Sequence, residues 1–104
     1  MDNVVLGSTL RLNIKIYELE DLDLSDERIE ISCVFYTKKP NKITIDKNKM
    51  IKTDDGCYQF YLDTTNLTPG ILICELKVSY PDDLAENGMV NVLIRKETTI
   101  NIIL

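Results

Sequence analysis

The side chains best suited to chemistry are three cysteines and seventeen carboxylates, and no histidine accompanies them. Without histidine, the chain lacks the commonest general base, the Ser–His and Cys–His nucleophile pairs, and the usual zinc and iron ligands. The adjacent carboxylate pairs Asp54–Asp55 and Asp82–Asp83 fall at turn signals, where Asp caps backbone groups. We therefore expect no enzyme, no catalytic residue, no cofactor, no metal site and no small-molecule substrate.

An acidic segment between residues 18 and 27 offers oxygen donors of the kind that calcium prefers. These donors are Asp21, Asp23, Ser25, Asp26 and Glu27. If Asp21 is taken as the first position of an EF-hand loop, the sixth is Asp26 rather than Gly, and the twelfth is Ser32 rather than Glu. The segment is therefore interpreted as a solvated acidic loop rather than a calcium site.

Charge is unevenly distributed along the chain. Residues 18–30 carry seven acids and one Arg, whereas residues 38–52 carry six lysines and one Asp. Such blocks are either solvated loops or complementary patches that contact neighbouring molecules. The residues of the possible protein interface are Glu18, Glu20, Asp21, Asp23, Asp26 and Glu27 in the acidic block, and Lys38, Lys39, Lys42, Lys47, Lys49 and Lys52 in the basic block. The net charge of −5 disfavours nucleic acid and anionic membranes as partners.

Apolar residues recur at every second position, which predicts β-strands, and no window shows a helical period. Turn signals such as Asp55-Gly56 and Asn87-Gly88 separate the apolar runs. The predicted strands cover residues 10–16, 29–36, 43–45, 50–51, 57–62, 71–80, 89–95 and 98–104. This number and spacing predict an all-β fold, an immunoglobulin-like antiparallel β-sandwich of about seven or eight strands, as a single domain over residues 1–104.

The alternation also predicts which side chains fill the space between the two sheets. The expected core residues are Leu12, Ile14, Ile31, Cys33, Phe35, Phe60, Leu72, Cys74, Leu76 and Val78. Cys33 and Cys74 fall on strands that are plausible counterparts of the two that antibody domains join by an inter-sheet disulfide. The odd cysteine count and the lack of a signal peptide instead favour two small buried thiols in a reducing cytoplasm.

The sequence resembles two groups of known proteins. The corner Asn66-Leu67-Thr68-Pro69-Gly70 resembles the one before the sixth strand of fibronectin type III modules, although Ile71, Leu72 and Ile73 stand where those modules place a Tyr. Nearly the whole chain resembles the small immunoglobulin-like virion proteins of tailed phages that infect Bacteroides-type bacteria, the crAss-like phages included. The segments that carry this likeness are Leu6-Gly7-Ser8-Thr9-Leu10-Arg11-Leu12-Asn13-Ile14, Ile43-Thr44-Ile45, Lys49-Met50-Ile51, Tyr58 to Thr64 and Tyr80-Pro81-Asp82-Asp83.

The phage resemblance implies a non-enzymatic structural part of the virion, assembled in the host cytoplasm. A capsid auxiliary (decoration) protein that binds the head shell or anchors head fibres is the expected role. Its partners would be other virion proteins and copies of itself. A tail or baseplate adaptor is one alternative. A host-encoded adhesion or carbohydrate-binding module is another, although the lack of tryptophan and of a signal peptide counts against it.

Overall fold

The structure, a computed structural model, describes residues 2–16, 23–24 and 26–104. Within these ranges the chain forms eight strands and one short 3-10 turn at Lys47–Lys49, so the predicted all-β chain of seven or eight strands is confirmed. The strands are β1 (Asp2–Val5), β2 (Thr9–Lys15), β3 (Glu30–Tyr36), β4 (Lys42–Asp46), β5 (Ile51–Asp54), β6 (Cys57–Asp63), β7 (Gly70–Pro81) and β8 (Met89–Ile103). Glu18, Glu20 and Asp21 of the acidic block lie outside the described residues.

The strands form two packed sheets, one of five strands in the order β1-β8-β7-β3-β4 and one of three in the order β2-β6-β5. This arrangement matches the immunoglobulin sandwich, whose B, E and D strands form one sheet and whose C, F and G strands form the other. All pairs but one are antiparallel, as predicted. The exception is β1, which runs parallel to the end of β8 with Asp2 opposite Ile100.

The largest departures from the predicted strands lie near the two ends of the chain. No strand was predicted before residue 10, but β1 forms there because the end of β8 offers it a pairing edge. The predicted break between residues 95 and 98 is wrong, since β8 continues through it. The irregularity falls instead on the ladder between β7 and β8, between Ile71 and Ile73. Thr98 Oγ1 donates a hydrogen bond to the Leu72 carbonyl at 2.8 Å there, which supports the distorted backbone.

The core lies between the sheets, where the rings of Phe35 and Phe60 meet with centroids 5.7 Å apart. Six of the ten predicted core residues are buried: Ile31, Cys33, Phe35, Phe60, Leu72 and Val78. The other four, Leu12, Ile14, Cys74 and Leu76, are only half-buried and pack against the rim of the core. The prediction that these ten side chains are mostly buried therefore holds for six of them, and it is too strong on one side of the sandwich, along β2 and the part of β7 that faces it.

The corner before β7 closes one end of the sandwich. Buried Thr64 donates from Oγ1 to the Ser8 carbonyl at 2.7 Å and accepts the Gly7 backbone N–H at 3.0 Å. Thr37 Oγ1 donates to the Thr68 carbonyl at 2.6 Å, so the β3–β4 turn meets the same corner. The turns after β1, β3 and β6 therefore share one end of the domain. The described part of the chain contains no helix whose length and hydropathy would let it span a membrane.

Candidate interaction surfaces

The basic block does not form one surface, because β4 divides it. Lys38 and Lys39 lie in the β3–β4 turn and Lys42 begins β4, at the end of the domain closed by the Thr37–Thr68 contact. Lys47 and Lys49 follow the other end of β4, about 13 Å away at ~3.3 Å per residue. We call Lys38, Lys39 and Lys42 the lysine end. It is a more compact group than the predicted block of six.

Tyr36 organises the lysine end. Its side chain lies on the outer face of β3, yet only 3% of it is exposed. Lys39 Nζ lies 5.2 Å and Lys42 Nζ 5.7 Å from the ring centroid, in the range of cation–π contacts. Tyr36 Oη donates to Glu75 Oε1 at 2.6 Å, and this hydrogen bond lowers the pKa of Glu75. Two lysines are thus held in place on one aromatic ring, with Glu75 Oε1 3.8 Å from Lys39 Nζ.

The opposite end of the domain is rich in carboxylates. The Tyr58 hydroxyl donates to the Leu24 carbonyl at 3.3 Å, and Glu30 pairs with Ser79. These contacts bring the loop before β3, the β5–β6 turn and the β7–β8 turn to the same end. We call their carboxylates the acidic end: Asp23, Asp26, Glu27, Asp54, Asp55, Asp82, Asp83 and Glu86.

Asp26 of the acidic end is held by Arg28. It accepts hydrogen bonds from the Arg28 backbone N–H at 2.9 Å, from Nε at 3.2 Å and from Nη2 at 2.8 Å. The hydrogen bond from the Arg28 side chain lowers the pKa of Asp26 to about 2, so this carboxylate stays charged in all but strongly acidic solution. The predicted acidic block therefore includes at least one side chain that also orders its own loop.

Lys47 belongs structurally to the acidic end, although the sequence places it in the basic block. Its Nζ donates to the carbonyls of Asp26 and Ile29, each at 3.0 Å, and so fastens the loop before β3 to the 3-10 turn. Lys52 also lies at this end, 3.3 Å from Asp55 Oδ1. Pairing between strands far apart in sequence causes this mixing, and a linear charge count does not reveal it. The interface role of both blocks stays a prediction.

The cysteines occupy positions that exclude the antibody type of disulfide. All three are free thiols, and Cys33 and Cys74 lie on β3 and β7, which are neighbours in one sheet. Cys33 is opposite Leu76, and Cys74 is opposite Phe35. The comparison with the two strands joined across sheets is therefore wrong, because β3 occupies the place of strand C. A hydrogen bond with Cys74, together with burial, raises the pKa of the Cys33 thiol, as expected for an unreactive buried cysteine.

The described residues contain no group of three or more acidic or cysteine side chains placed to hold a metal ion. Asp21 and Ser25 of the calcium interpretation lie outside those residues. Comparisons with family models, curated proteins and solved structures found no match to this chain. Its surfaces are therefore the basis on which a function is proposed.

Proposed function

We propose that the chain is a non-enzymatic structural protein of a tailed-phage virion, a capsid auxiliary (decoration) protein that binds the head shell or anchors head fibres. The observation that carries the proposal is the separation of charge along the domain. The domain measures 48 × 28 × 21 Å, and β8, with 15 residues, is about 50 Å long at ~3.3 Å per residue. The lysine end and the acidic end lie at opposite ends of this long axis.

A domain with oppositely charged ends can associate head to tail with its own copies or dock on a subunit of matching charge. Each exposed ion pair contributes only about 0–1 kcal/mol. Firm attachment then requires many copies on a repeating lattice, as on a capsid shell. The isolated protein is accordingly expected to be monomeric or to associate weakly, and the particle to supply the multiple sites.

A tail or baseplate adaptor is the second candidate, because the same two ends could each join a larger part. The two roles differ in copy number. A shell-bound protein is present in numbers comparable with the capsid subunit, whereas an adaptor is present in the few copies that tail symmetry allows.

An inventory of purified particles tests the proposal. Particles of the phage that encodes the chain are banded at low salt and again near 1 M salt, and each protein is quantified by mass spectrometry. We expect the chain in the low-salt band at a copy number comparable with that of the capsid subunit. It should be depleted in high salt, where the Debye length falls to about 3 Å. Absence from low-salt particles contradicts the virion role, and a few salt-resistant copies favour the adaptor.

A further inference from the structure

The four predicted core residues that are only half-buried line a single groove. Leu12 and Ile14 of β2 face Cys74 and Leu76 of β7 across it, and Ile94 of β8 forms part of its wall. The groove holds about 620 Å³ and opens to solvent between the two sheets. The alternation of polar and apolar residues predicts that these four side chains are core residues, but none of the described residues covers them on the side that faces the groove.

Within the part of the chain that the structure describes, both rims of the groove are strand edges that no further strand covers in full. β2 pairs only with β6, so its other edge has no strand partner among the described residues. β8 pairs with β7 on both sides of the irregularity between Ile71 and Ile73, but β1 covers its other edge only at Ile100–Ile103. The described edge of β8 from Met89 to Glu97 is therefore open as well. Unpaired strand edges are templates for an added strand.

The strand position beside β2 has a counterpart in immunoglobulin domains. There the first strand pairs with the second and completes the sheet A-B-E-D. In this chain β1 pairs with β8 instead, and β2 is left at the edge of its sheet. A strand added at this edge of β2 would complete the sheet as the first immunoglobulin strand does.

The charges at the rims define the occupant. Arg11 and Lys15 alternate with the apolar residues of β2, on its outer face. Lys96 lines the groove from β8, opposite Cys74, and Glu97 follows it in the lining. A second copy fits poorly, because the symmetric antiparallel pairing of β2 with β2 that is centred on Asn13 would place Arg11 opposite Lys15, and like charges directly opposite are destabilising. Pairing β2 with the β8 edge of a second copy would likewise bring Arg11 and Lys15 towards Arg95 and Lys96.

We propose that this groove docks an extended segment of a partner protein, which adds as a strand beside β2. Its apolar side chains would alternate into the groove, and its carboxylates would lie beside Arg11 and Lys15 on the outer face of β2. Main-chain hydrogen bonds provide affinity in this mode, and the pockets for alternate side chains provide specificity. The inference goes beyond the virion role and does not depend on it, since it rests on the groove alone.

A peptide titration of the isolated domain tests the inference without particles. The groove inference can therefore fail while the virion role holds, and the virion role can fail while the groove inference holds. The probe is a blocked nine-residue peptide in which Val and Glu alternate. One control replaces every Glu with Lys, and another has the same composition with the Val residues grouped together. We expect the alternating acidic peptide to slow amide hydrogen exchange along β2 but not along the edge strands β4 and β5. Both controls should bind at least about tenfold more weakly.

Paired variants show whether the peptide binds in the groove. Ile94→Arg fills the groove, whereas Leu93→Arg adds the same side chain one residue away on the opposite face of β8, where Leu93 is 73% exposed. Lys96→Glu and Arg95→Glu form a second pair, in which the first substitution lies on the groove face of β8 and the second on the opposite face. The first member of each pair should weaken binding by about tenfold or more, and the second should leave it unchanged. Both positions are at least partly exposed, so the variants are expected to fold, which the amide spectrum of each variant verifies.

Three results would overturn the inference: no binding of the acidic peptide at millimolar concentration, equal binding of the lysine peptide, or protection confined to β4 or β5. A protein that dimerises through β2 in the absence of peptide would show that a second copy, rather than a partner segment, occupies the groove.

Discussion

A variant with glutamate at all three positions of the lysine end (Lys38→Glu, Lys39→Glu, Lys42→Glu) is expected to fold and to be lost from particles. The reversal turns the contact surface from cationic to anionic while leaving the acidic end intact. Repulsion at every copy then opposes lattice binding, so the multivalent gain disappears as well. Incorporation is measured as copies per particle at low salt, and we expect it to fall below detection.

The fold should survive this change. The cation–π contacts of Lys39 and Lys42 with the Tyr36 ring each contribute about 0.5–1 kcal/mol at an exposed site. The unfolding free energy of a typical domain is about 5–15 kcal/mol, which is much larger. Lys38→Glu alone, which leaves both ring contacts in place, should weaken incorporation in part. Circular dichroism and denaturant unfolding of the free variants check that folding is retained.

The matched control is Lys49→Glu, Lys52→Glu and Lys77→Glu, which changes net charge equally but leaves the lysine end unaltered. This variant should incorporate nearly as the parent does. If both triple variants are lost to the same extent, bulk charge rather than the lysine end governs attachment. If neither is lost, the charged blocks are solvated loops and the contact lies elsewhere, on an apolar sheet face or in the groove between β2 and β8.

Leu72→Ala should cost about 2–5 kcal/mol of unfolding free energy, because Leu72 has no exposed surface and its truncation leaves a cavity in the core. The matched control, Leu93→Ala on the neighbouring strand, removes a side chain that is 73% exposed and should cost less than about 0.5 kcal/mol. Both changes in unfolding free energy are measured from the shift of the denaturant midpoint, with the dependence of the free energy on denaturant concentration unchanged.

Leu76→Ala completes this series, since Leu76 lines the open groove and is only half-buried. Its cost should fall between those of the other two variants. A cost for Leu76→Ala equal to that of Leu72→Ala would mean that the groove is covered in solution, contrary to the described structure. Equal small costs for all three would contradict the core itself.

The strands were predictable because the alternation of polar and apolar residues is a local signal that each strand carries by itself. The pairing of strands is not local. Cys33 and Cys74 were correctly placed on inward faces, but the sequence could not show that β3 and β7 are neighbours in one sheet. Likewise, alternation predicts which face a side chain lies on but not what covers it, which is why Leu12 and Ile14 are half-buried.

The surfaces were less predictable than the core. A linear count grouped six lysines, whereas β4 carries Lys47 away from Lys42 to the acidic end, where Lys47 binds carbonyls of the loop before β3. The burial of Tyr36 on an outer face depends on the side chains of Lys39 and Lys42, which the turn after β3 returns over the ring. The turn signals predicted that the chain reverses there, but not which side chains would meet.

The most direct test of the central claim is a cryo-EM reconstruction of particles prepared at low salt. We expect an immunoglobulin-like domain in many copies on the particle, with Lys38, Lys39 and Lys42 against a carboxylate-rich surface of a capsid subunit, a fibre protein or the next copy. A reconstruction in which this domain is bound with the lysine end facing solvent would contradict the claim.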